Sequence, residues 1–267
     1  MNTKPVVLAV AAHPDDIEMT MAGTLLRLQA LGWEVHYMNL ANGSCGTAVD
    51  PEEVIIAKRA AEARAACALV GFTWHPPIVN DLGVYHCNEQ IRQVVAVIRE
   101  VRPSILLTQS LVDYMEEHQN AGRLACTAAF CRGMVNCWSV PPRTPIPDDI
   151  TVYHAMPHGL RDPMRKRLRA GQYVDIGETI ATKREMLACH KSQKEWLDVS
   201  QGMDAYLEVM TDFGRQVGAL SGQFEYAEGW RRHSHLGYSA KEIDPLSVAL
   251  GDLCLVDEAY EHWLDEA

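Results

Sequence analysis

The sequence predicts an α/β fold, a mostly parallel sheet flanked by helices with a smaller C-terminal region packed on it, and three observations carry that prediction. Short apolar runs at residues 6–10 and 104–108 have the length and branched content of buried strands. Stretches of helical periodicity lie between them and stop at Gly32, Gly71 and Pro103. Polar and charged residues gather just past the strands, where open α/β sheets place their ligands.

After the opening strand, residues 20–31 set Met21, Leu25 and Leu28 on one helical face and end at Gly32, a residue free to take the conformation that closes a helix. Residues 34–40 alternate in the manner of a strand, with Val35 and Tyr37 on one side. The turn Asn42-Gly43-Ser44-Cys45-Gly46 either approaches a ligand or is a plain loop. Asp50-Pro51-Glu52-Glu53 predicts a helix start with Asp50 as N-cap and Pro51 in the first turn, running to about Val70. Asn88 opens a further helix with Ile91, Val94, Val95, Ile98 and Val101 along one face. A strand follows at 104–108, then a polar connection through residues 109–118. The proline-rich residues 141–149 join a sheet core of about 1–140 to a C-terminal region of about 150–267, within one domain spanning 1–267. The basic run at 165–169 reads as a solvated helix face. Residues 178–217 are helical in composition, with Trp196, Tyr206, Met210 and Phe213 among the core candidates.

Several classes of function fall away on composition. Acidic residues outnumber basic ones by 35 to 24, a balance that repels phosphate backbones and anionic membrane surfaces. No stretch approaches the roughly 20 apolar residues of a membrane span, and the first apolar run reads as a strand rather than a signal peptide. Eight cysteines without a Cys-x-x-Cys pair read as reduced thiols of a cytoplasmic protein. A small molecule is the expected partner.

The chemistry concentrates after the first strand, in Ala12-His13-Pro14-Asp15-Asp16-Ile17-Glu18. A divalent metal needs a neutral imidazole and a carboxylate aimed at one point, and hydrolysis needs a second carboxylate to take a proton from water. His13, Asp15 and Asp16 supply those groups, unless the segment is simply a polar cap on the next helix. His118, beyond the end of a different strand, completes a set of two histidines and one carboxylate.

That first block resembles the signature of the LmbE-like or PIG-L family of zinc-dependent N-acetylglucosaminyl-phosphatidylinositol deacetylases. Further blocks agree: Asn42-Gly43-Ser44-Cys45-Gly46-Thr47, Arg59 with Glu62 on a helix, Asp113-Tyr114-Met115-Glu116-Glu117-His118, and a late segment with Asp175, Lys183 and His190-Lys191-Ser192-Gln193. The resemblance implies a Rossmann-like sheet and removal of an acetyl or related acyl group from an N-acylated amino sugar. It further implies one zinc ion (Zn2+) per chain on His13, Asp16 and His118, with Asp15 as general base. Arg59 would hold a substrate or product carboxylate, Asp113 and Glu117 would orient the metal ligands, and the chain would form a homo-oligomer, a trimer or hexamer. One position departs from the pattern. Where the family carries a histidine that steadies the oxyanion, this chain has Met115, which donates no hydrogen bond. His154, His158, His233 and His235 are the candidates to replace it, with His233 and His235 favoured because they lie in a basic, aromatic segment near Gly237, where a loop could reach a neighbouring subunit's crevice. Met115 also motivates a second reading, a non-catalytic protein that binds a metal or sugar derivative. A magnesium-binding receiver module is the third.

Overall fold

In the computed structural model, which describes residues 4–201 and 206–266, strands β1 (Val6–Ala11), β2 (Glu34–Asn39), β3 (Thr73–His75), β4 (Ile105–Thr108) and β5 (Thr151–Ala155) run parallel. Three more extend the same sheet antiparallel to their neighbours: β6 (Gln172–Asp175), β7 (Ala227–Arg232) and β8 (Cys254–Val256). The order across the sheet is β3-β2-β1-β4-β5-β7-β6-β8. The C-terminal region therefore contributes strands to the sheet as well as helices to its surface.

Alternation along β1 explains the two cores. Val7, Ala9 and Ala11 face one layer, which holds α1 (Asp16–Thr20) and α2 (Ala22–Ala30) together with part of α3 (Glu52–Val70). Leu8 and Val10 face the other, packed against α4 (Asn88–Val101) and α5 (Glu116–Cys131) through Val94, Ile98, Leu124 and Ala128. Both faces of a parallel sheet are covered, so its strands read as continuous apolar runs. Beyond β6 the chain forms α6 (Ile180–Leu187), α7 (Lys191–Gln201) and α8 (Tyr206–Ser221), and after β7 it adds α9 (Pro245–Leu250) and α10 (Glu258–Glu266).

Local differences from the sequence reading have local causes. Gly71 closes α3 at φ 77, as its position predicts, but Asp50 caps nothing: its carboxylate pairs with Lys58 at 2.6 Å, and Pro51 occupies the N-cap position. Residues 165–169 are not helical. Arg161 and Arg167 bridge across a tight exposed turn, and Asp162 accepts the Lys166 amide at 2.7 Å, a side-chain bond that competes with helix formation. His118 lies in the first turn of α5 rather than in the connection before it. All eight cysteines are free thiols.

Between β1 and β4 the strand order reverses, since β2 and β3 lie to one side and β5 to the other. Chains leaving the carboxyl ends of such strands diverge to opposite faces of the sheet and open a crevice. His13 follows β1 and His118 opens the helix after β4, so two distant segments meet at that point.

Candidate metal centre

The β1–α1 turn aims its side chains by means of the backbone. Asp15 sits at φ 100, a region L-residues rarely occupy. The His13 amide donates to Asp16 Oδ2 at 2.7 Å, and Asn39 Nδ2 donates to the His13 carbonyl at 2.6 Å, pinning the turn to the end of β2. Arg59, on α3 and almost fully buried, donates from Nη2 to the Pro14 carbonyl at 2.6 Å and lies 3.5 Å from Asp15 Oδ1. Room for that guanidinium exists only because residues 43 and 46 are glycines, where a Cβ would overlap it.

His13, Asp16 and His118 converge. Each offers a ligand atom, and these atoms lie within 4.8 Å of one another. His118 donates from Nδ1 to Asp113 Oδ1 at 3.0 Å, which leaves its Nε2 lone pair facing Asp16 Oδ1 at 3.4 Å. His13 donates from Nε2 to Glu117 Oε2 at 3.0 Å, which leaves Nδ1 facing Asp16 Oδ2 at 3.4 Å. Glu117 is itself fixed by the amides of Leu82 and Val84, each at 3.0 Å. Carboxylates that take the far proton of each imidazole fix its tautomer and orientation, the usual support of a metal-bound histidine. A two-histidine, one-carboxylate set with this support suits zinc and leaves a position open.

Electrostatics agrees with a cation at the centre. Burial disfavours charge on His13, yet hydrogen bonds to Asp16 and Glu117 outweigh it and raise its pKa to about 10. The carboxylates there call for positive charge, which a metal supplies without protonating the ligands. The two aspartates diverge. Burial pushes Asp15 up to about 6, with Arg59 opposing, whereas the two histidines hold Asp16 below the ordinary carboxylate range in spite of its burial.

A crevice of about 380 Å³ opens over this cluster, bounded in part by Gly46, Met115, His158, Gln193, Trp196 and Tyr206. In the sequence Tyr206 was legible only as a core or subunit-contact residue. Its hydroxyl donates to Asp15 Oδ2 across 191 positions of sequence, a pairing that no local pattern announces. Of the candidates to replace the histidine absent at Met115, His158 borders the crevice, with its ring 6.5 Å from that of Tyr114. His154, His233 and His235 do not line it. Along β5, Tyr153 and Ala155 face the α2 layer while Val152 faces the α5 layer, and His154 follows that alternation to contact Cys126 on α5. His233 directly follows β7, and with His235 it borders a separate surface hollow of the same chain. Arg59 reaches the crevice, but its Nη2 is committed to Pro14 and Asp15.

The profile of the GlcNAc-PI de-N-acetylase (PIG-L) family matches residues 8–129. A diacetylchitobiose deacetylase of Thermococcus kodakarensis is 28% identical over 232 residues, 84% of this chain and 82% of the relative. Among solved structures, N,N'-diacetylchitobiose deacetylase from Pyrococcus horikoshii superposes with TM-score 0.71 at 20% identity, covering 90% of this chain and 88% of that one. GalB, the 4-carboxy-2-hydroxymuconate hydratase of Pseudomonas putida KT2440, superposes with TM-score 0.69 at 23% identity, covering 90% of this chain and 99% of that one. The architecture is thus similar to that of proteins with different chemistries, and the reaction has to be argued from the site.

Proposed function

Because the chain carries a PIG-L (LmbE-like) family domain, we propose that it is a zinc-dependent amidohydrolase that removes the acetyl group from an N-acetylated glucosamine derivative. The observation that carries this reading is the convergence of His13, Asp16 and His118 on one point, with Asp15 held beside them by Arg59 and Tyr206. Asp16 faces both imidazoles, fit to hold a metal with them, and Asp15 stands outside that set, fit to accept and return a proton. Such a division of labour is what amide hydrolysis by activated water requires.

His13, Asp16 and His118 would hold the zinc. Bound there, zinc would lower the pKa of water and polarise the amide carbonyl. Asp15 takes a proton from the attacking water and hands it to the departing amine, while Arg59 keeps its carboxylate in place from behind. Tyr206 donates to the other oxygen of Asp15 and so fixes the carboxylate at a second point. His158, at the rim beside Tyr114, is the donor placed to meet the developing oxyanion in the absence of a histidine at 115.

The test combines metal content with amine release from a panel of N-acetylated amino sugars that includes diacetylchitobiose. Asp15→Asn is expected to retain zinc and to lose about 100-fold or more of the turnover, the usual contribution of a positioned acid–base group. His13→Ala and His118→Ala are expected to lose the metal. Full activity in Asp15→Asn would remove the proposed base. Zinc binding without release from any substrate in the panel would instead favour a binding protein, the reading that Met115 motivates.

A further inference from the structure

We propose that Cys126, His154 and His233 form a second metal site, a set of one thiolate and two imidazoles that takes zinc and lies outside the crevice. The three residues come from α5, from β5 and from the residue that follows β7, and their donor atoms lie within 4.8 Å of one another. Cys126 Sγ is 3.7 Å from His154 Nε2, and His233 Nδ1 is 3.0 Å from the same nitrogen. His154 donates from Nδ1 to the Gln109 carbonyl at 2.8 Å, so Nε2 carries the bare lone pair. That single lone pair faces two neighbours and accepts one good hydrogen bond. A cation seated among the three atoms uses a lone pair from each.

The surroundings suit a metal in other ways. The backbone carbonyl that orients His154 is the outer support common to metal-bound histidines. Cys126 and His154 are buried, while His233 is half-buried beside a surface hollow shared with Thr151 and Tyr238, which gives an ion a route inward. A thiolate beside two imidazoles is a borderline-soft donor set that prefers zinc to calcium or magnesium. On binding, the Cys126 S–H proton passes to solvent, the thiolate and two imidazole lone pairs bond the metal, and water takes the fourth position. The metal keeps its oxidation state.

The chain of 267 residues, stripped of metal, is titrated with cobalt(II), whose bond to a thiolate gives a near-ultraviolet charge-transfer band that a site of nitrogen and oxygen ligands lacks. Two equivalents per chain are expected, together with a sulfur-to-cobalt band. Cys126→Ser and, separately, His233→Asn are each expected to bind one equivalent and to lose that band. Their metal-free circular dichroism serves as the control for folding. In zinc, the wild-type chain is expected to melt several degrees above Cys126→Ser, since binding to the folded state alone stabilises it. A single equivalent with no sulfur band in the wild type would overturn the site. So would a band that survives Cys126→Ser and disappears in Cys45→Ser, because Cys45 borders the crevice and would then be the source of the sulfur.

Discussion

Arg59 acts on Asp15 through a neighbouring backbone as well as by charge: the Nη2 that lies 3.5 Å from the carboxylate also donates to the carbonyl of Pro14. A planar guanidinium makes both contacts from one fixed position, whereas an ammonium on a shorter reach makes one at best. Arg59→Lys is therefore expected to destabilise the chain by about 1–3 kcal/mol, since it leaves a buried acceptor without its donor. Urea unfolding reads that loss, and turnover is expected to fall further than stability, because the carboxylate is released from its position. Gly46→Ala probes the same contact from the loop side, where the added methyl would overlap the guanidinium. It is expected to lower kcat with little change in metal content. Arg59 was expected at the crevice from the family resemblance alone, since its helix position equally allowed a surface pair with Glu62, and Asp113 and Glu117 could as well have been solvated loop charges. The sequence had no way to reveal that Tyr206 closes over Asp15, because that pairing depends on how α8 packs.

At the scale of elements, the segments that were legible are those whose burial is uniform. β1 and β4 are covered on both faces and announce themselves as apolar runs, and α4 turns one apolar face to the sheet. β6 and β7 were not legible, because their residues include Gln172, Glu228 and two arginines, which are matched to partners far away in sequence. Glu228 shows what such a residue does. Its carboxylate accepts the amides of Gly23 and Thr24 at 2.8 and 2.7 Å, capping the start of α2, and it pairs with the fully buried Lys183 of α6 at 2.6 Å. One carboxylate thereby ties two helices to a strand. Lys183→Met is expected to cost about 3–5 kcal/mol, since it leaves a buried charge unpaired. Adding Glu228→Gln is expected to recover part of that loss, and a double-mutant cycle in denaturant measures the coupling.

For the molecule as a whole, the two cores lie on the faces of one continuous sheet, and His13 and His118 lie beyond the carboxyl ends of β1 and β4, outside both cores, so the fold is not expected to depend on the proposed crevice metal. Chelation is expected to abolish amine release while far-ultraviolet circular dichroism stays unchanged, and added zinc is expected to restore the activity. Loss of secondary structure on chelation would mean that the metal is part of the framework. The whole-molecule architecture was readable from the order of strands and helices. The addition of β5 to β8 to that same sheet was not, because sheet order is set by packing between segments distant in the chain. The backbone at Asp15 also ranks the residues that can stand there. At φ 100 a glycine fits with less strain than any residue bearing a Cβ. Asp15→Gly is accordingly expected to be more stable than Asp15→Ala by about 1 kcal/mol, the reverse of the usual ranking, as thermal melts of the two variants would report. The strained backbone at this position is thus carried together with a side chain that glycine lacks, the carboxylate that meets Arg59 and Tyr206.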